Sequence, residues 1–120
     1  MAKLWMTIGA VNGFVSVAAG AFGAHGLKRR ISEQMLAHWE TAARYQMMHA
    51  LALLAVAALA ESRGEAMNGA GWSFTAGIVV FSGSLYVLAL TGVTKLGMIT
   101  PLGGLALLAG WLLVLRASLA

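Results

Sequence analysis

The chain contains no cysteine and no aspartate. The first absence excludes disulfides, thiolate metal sites, iron–sulfur clusters and cysteine nucleophiles together. The second leaves carboxylate chemistry to Glu33, Glu40, Glu61 and Glu65. Proline occurs once, at Pro101, and charged side chains make up only 10% of the 120 residues. Ordinary soluble domains are about 25% charged, because their surfaces must meet water. This chain has too few polar groups to cover a soluble fold, so the medium around it must be largely hydrocarbon.

Hydrophobic residues account for 60% of the chain, against about 45–50% in soluble domains. A spanning helix takes about 20 apolar residues, which leaves room for four short-looped spans and no second domain. The expected architecture is therefore all-α: a polytopic membrane protein with a four-helix transmembrane bundle in a single domain, residues 1–120. Its spans fall at about 4–24, 45–61, 72–91 and 101–117, with an amphipathic segment at about 32–44 leading into the second. The N-terminal run imitates a signal peptide through Lys3 and Ala19-Gly20-Ala21. At about 21 residues it is long for such a segment, and it carries Asn12 and Ser16, so it reads as an uncleaved first span.

Glycine and proline are both missing between Leu27 and Arg63. Ser32 is placed to cap a helix there, with Glu33 and Gln34 favourable in its first turn. Met35, Leu36, Trp39, Ala42 and Ala43 share one face at helical spacing. Such a helix would be about 45 Å long, more than a hydrocarbon core needs. Its first half is expected in the interface or in water. Thr100-Pro101 reads as an N-cap followed by proline at the first helical position. Small residues recur in register at Gly9, Gly13, Ser16, Gly20 and Gly23, at Ser73, Gly77, Ser84 and Thr91, and at Gly103, Ala106 and Gly110. Helices in lipid associate through close backbone approach, so these seams are expected to pack helices, with one left for a partner.

The eight basic residues are scattered at the ends of apolar segments, with a single cluster at Lys28, Arg29 and Arg30. That pattern sets orientation rather than gripping nucleic acid. With four spans, Lys3, Arg63 and Arg116 share one side, and Lys28, Arg29, Arg30, Arg44 and Lys95 the other. The excess on the second side puts both termini outside. Trp5, Trp72 and Trp111 would then lie near one interface.

His38, Tyr45 and His49 line one helix face, but His38 and His49 are roughly 16 Å apart along the axis and cannot share a metal ion. No metal site and no cofactor is expected. Glu40 and Arg44 have the favourable i,i+4 order for an ion pair. Asn12 and Gln46 are amides inside spans, able to hydrogen-bond across helices or to line a solute path. No serine has a base and an orienting acid, and paired carboxylates are absent, so no catalytic constellation is found. The glycines at positions 20, 23 and 26 bring the end of the first span close to the second. A polar cluster of His25, Glu40, Tyr45 and His49 is therefore expected on the Lys28 side, pinning the two helices together.

Gly20-Ala-Phe-Gly-Ala-His-Gly-Leu-Lys28, Trp39, Ala43, Tyr45-Gln46, His49-Ala-Leu-Ala-Leu53, Ile99-Thr-Pro-Leu-Gly-Gly104 and Gly110-Trp111 resemble the bacterial family of domain of unknown function 423. Its members are small YgdD- and YwdK-like inner-membrane proteins, and eukaryotic transmembrane protein 256 is similar. The resemblance covers essentially the whole chain and implies a multi-pass protein of the inner membrane with no established activity. It marks His25, Tyr45, Gln46 and His49 for attention. The function expected is that of a non-enzymatic component packing with itself, with a partner membrane protein or with membrane lipid. The alternative is a small-solute or ion translocator using His49, Gln46 and Asn12.

Overall fold

The glycine-free interval after Leu27 carries the longest helix of the molecule. The computed structural model describes all 120 residues, Met1–Ala120, and is all-helical. Helix α1 spans Ala2–Phe22 and continues into a π-helical turn at Gly23–Leu27. Helix α2 spans Glu33–Arg63, and a 3-10 turn at Gly64–Met67 leads to α3, Asn68–Gly77. A second π-helical segment, Ile78–Ser82, joins α3 to α4, Gly83–Thr91. A 3-10 turn at Thr94–Met98 precedes α5, Thr100–Leu119.

The helix ends have local causes. Ser32 caps α2, its Oγ accepting the Met35 N–H at 3.2 Å, and Glu33 lies in the positive first turn. The helix stops at Gly64, whose φ of 60° and ψ of −139° are open only to a residue without Cβ. Gly92 ends α4 in the left-handed region, at φ 72°, and its N–H reaches the Leu88 carbonyl at 2.7 Å. At α5 the structure departs from expectation. Thr100 is the first helical residue rather than the cap. Its hydroxyl lies 2.6 Å from Ser84 Oγ and 3.4 Å from the Leu96 carbonyl, so it ties α5 to α4 instead.

Antiparallel contacts order the helices. Along α1 and α2, Asn12 meets Gln46 and Ala19 meets Trp39. After the reversal at Gly64, Ser82 Oγ donates to the Ala42 carbonyl at 2.8 Å, and Phe81 packs on Tyr45. Along α5, Gly103 backs onto Phe81 and Gly110 onto Phe74. The core gathers Trp5, Leu53, Val56, Met67, Phe74 and Leu107.

Three helical runs are long and apolar enough to cross a membrane: Ala2–Leu27, Glu33–Thr91 and Thr94–Leu119. The expected count of four spans is not met on that measure. The expected second and third spans belong to one run of 59 residues, because a 3-10 turn at Gly64–Met67 joins α2 directly to α3 in place of the expected polar loop. The 31 residues of α2 would reach about 46 Å, against a longest molecular dimension of 48 Å. Its amphipathic half does not stand free. Trp39, Ala42 and Ala43 are buried, and the Trp39 indole N–H donates to the Ala19 carbonyl at 2.7 Å. Large apolar side chains cover the outside, with Phe14 78% and Val79 67% exposed. In water, apolar surface so continuous would drive association; in lipid it needs no cover.

Candidate functional site

One stretch of α2 projects Tyr45, Gln46 and His49 into the bundle from opposite edges of the same face. His49 is buried, and its ring stacks on Tyr45 with centroids 6.2 Å apart and planes 15° from parallel. Nδ1 lies 2.8 Å from the Tyr45 carbonyl oxygen. A carbonyl only accepts, so Nδ1 carries the hydrogen and donates. Nε2 is then the acceptor, and the Trp111 indole N–H, a donor only, meets it at 3.1 Å. Both ring nitrogens are thus engaged, and one tautomer satisfies both partners. Phe74 lies 5.6 Å from the His49 ring and 5.1 Å from Trp111, completing an aromatic enclosure from α2, α3 and α5.

Gln46 serves a second polar line. Its Nε2 donates to Asn12 Oδ1 at 2.9 Å, while its Oε1 accepts from the Tyr86 hydroxyl at 2.7 Å. Asn12 Nδ2 in turn donates to the Ile8 carbonyl at 2.9 Å. The line crosses α1, α2 and α4, and no buried side-chain nitrogen or oxygen in the molecule lacks a partner. A partly buried network satisfied at every member holds its helices in one register.

A crevice of about 540 Å³ opens between α2 and α5, with Tyr45, Met48 and His49 on one wall and Gly104, Leu108 and Trp111 on the other. Phe81, packed on Tyr45, also lines it. Met48, Leu105, Leu108 and Trp111 are all partly exposed at its mouth, so it faces the apolar surroundings rather than the interior.

The four residues expected to cluster divide into two groups. Tyr45 and His49 stack, whereas His25 is exposed on the π-helical turn and Glu40 is exposed on α2. Neither joins the hydrogen bonds around His49, whose partners are Tyr45 and Trp111. Trp39 takes the place expected of His25 as the link between α1 and α2. The glycine seams mostly face inward. A Cβ would press on Ala50 and Leu54 at Gly9, on the Trp39 ring at Gly23 and on Leu107 at Gly77. Gly13 is only loosely covered, at 4.0 Å from Ala50, and Gly20 is open. Ser16 is buried, its hydroxyl turned back to the Gly13 carbonyl at 2.9 Å. Two partners in these networks have no such role assigned from the sequence: Tyr86, on Gln46, and Trp111, expected only near an interface. Each is an aromatic with a polar tip inside an apolar span, and such tips seek partners when buried.

Helices with lipid-compatible outer faces and inward-paired polar groups define an α-helical integral membrane protein. The chain belongs to the family described as "Protein of unknown function (DUF423)", whose model matches residues 19–104. It is 47% identical to a UPF0382 membrane protein of Staphylococcus aureus (strain bovine RF122 / ET3-1), over 97% of this chain and 95% of that one. UPF0382 membrane protein YwdK of Bacillus subtilis (strain 168) is 45% identical, over 97% of this chain and 96% of its own. No solved structure matches.

Proposed function

We propose that the protein is a non-enzymatic component of the bacterial inner membrane that crosses the bilayer four times and acts through its lipid-facing surfaces, on lipids, partner proteins or a second copy. The reversal at Gly64 supports four crossings, because it lays α2 beside the α3–α4 leg within the 59-residue helical run. Both termini then share a side with Arg63, whose guanidinium donates to the Ala117 carbonyl at 3.0 Å. Lys28, Arg29, Arg30 and Lys95 lie at the opposite end, and their excess favours termini outside.

The observation carrying the reading is the pairing of the interior. Asn12, Gln46 and Tyr86 hydrogen-bond to one another, and His49 spends both nitrogens on protein groups. A solute or proton path needs groups free to exchange partners, and the large crevice lies on the outer wall instead. In proteoliposomes, the wild type and the Gln46→Leu variant are expected to leak protons and small cations no faster than protein-free vesicles. A flux well above that background, abolished by His49→Ala, would replace this reading with a translocator.

A further inference from the structure

We propose that the crevice between α2 and α5 holds one acyl chain of an anionic phospholipid, with the lipid phosphate on Arg44. The inference rests on the membrane-crossing reading above and adds the ligand. The cavity is of the size that takes small molecules and single chains, commonly about 300–1,000 Å³, and at about 540 Å³ it is lined almost wholly by carbon. Its mouth is flanked by Leu105 and Leu108, 62% and 60% exposed. A lipid tail therefore enters sideways, without leaving the hydrocarbon.

The crevice has a charged end. Arg44 precedes Tyr45 in its wall and lies one helical turn from Met48 at its mouth. The Ser82–Ala42 hydrogen bond and the Phe81–Gly103 contact set Arg44 level with the first turn of α5, where Pro101 lines the pocket. Trp111 closes the other end, nearer the termini. Arg44 is exposed, and it is Arg63, not Arg44, that finds an acceptor within the chain. The expected partner Glu40 is itself exposed, one turn further toward Lys28 and away from the pocket.

An arginine on the lipid-facing surface of a spanning helix is costly unless it snorkels to an anion. A phosphate accepts its planar fork of donors in two parallel bonds. Lys28, Arg29, Arg30 and Lys95 at the same end draw anionic headgroups toward it. A zwitterionic lipid gains less from that field, and an uncharged partner helix leaves the guanidinium without an acceptor.

The test uses full-length protein in nanodiscs with phosphatidylglycerol or phosphatidylcholine carrying a photoreactive diazirine on one acyl chain. Phosphatidylglycerol is expected to label the Met48, Leu105 and Leu108 region about fivefold more than phosphatidylcholine. Arg44→Gln should erase that preference. Gly104→Leu should block labelling while the fold persists, because a Cβ there meets only the Phe81 ring, at 3.8 Å. Helical circular dichroism and monodisperse elution check that each variant is folded. Equal labelling by both lipids, a preference that survives Arg44→Gln, labelling elsewhere on the chain, or displacement by oleate at lower concentration than by phosphatidylglycerol overturns the proposal. Cysteines placed at Lys28 and Arg63 separate the two failures. If both react from the same side, the crossing scheme itself is wrong; if they react from opposite sides and the lipid result fails, only this assignment falls.

Discussion

Replacing Gly103 by alanine is expected to destabilise the bundle by about 1–3 kcal/mol, the usual cost of forcing extra atoms into a packed interior. The added Cβ would strike the backbone nitrogen and Cα of Phe81, and backbone cannot rotate aside as a side chain can. The loss should appear even though alanine is the better helix former by about 1 kcal/mol. Gly83→Ala is the contrasting substitution. Nothing lies within 4 Å of a Cβ at Gly83, so only the helix-propensity gain remains and the change should stabilise. Thermal unfolding in detergent micelles, followed by helical circular dichroism, measures both. Shifts of the same sign would defeat the account of α5 packing on the Ile78–Ser82 segment by backbone approach.

His49→Leu is expected to cost about 2 kcal/mol, because it leaves the Trp111 indole N–H without its acceptor, and an orphaned buried donor costs about 1–3 kcal/mol. Trp111 is partly exposed to the apolar surroundings, where no water replaces the lost partner. Adding Trp111→Phe to His49→Leu removes the orphan, so the second step should cost much less than Trp111→Phe does alone. A double-mutant cycle reads this as a coupling of about 1–2 kcal/mol between the two positions. Additive losses would mean that the 3.1 Å contact contributes packing and no hydrogen bond.

Much of the fold was legible because it follows from local chemistry. The Ser32 cap, the unbroken course of α2 and the small-residue seams are properties of adjacent residues and their spacing. The partnership of His49 with Trp111 is not, because it depends on how α2 and α5 are rotated about their axes. The π-helical segments at Gly23–Leu27 and Ile78–Ser82 add to the difficulty. Each winds more residues per turn than an α-helix, so a face traced at 3.6-residue spacing is displaced once it passes through. His25 lies inside the first such segment and is exposed, and the close approach at Gly23 is taken up by Trp39 instead. The count of three apolar helical runs, against the four spans expected, has its own cause. The polar stretch around Gly64 reads as a loop, yet it reverses the chain while remaining helical on both sides. Glu40 and Arg44 have sound helix spacing for an ion pair, yet both side chains stand exposed on α2.

The four tryptophans occupy unlike surroundings, and this gives the protein an internal optical gauge. Trp5 is wholly enclosed, its indole N–H on Asn68 and the Gly71 backbone pressed against its ring, and Trp39 is 8% exposed between α1 and α2. Trp72 and Trp111, at 53% and 47% exposed, face outward. Brominated acyl chains in the surrounding bilayer would reach the second pair and spare the first. The emission that survives such quenching therefore belongs to the interior, and its loss on heating or dilution into detergent reports the helices separating.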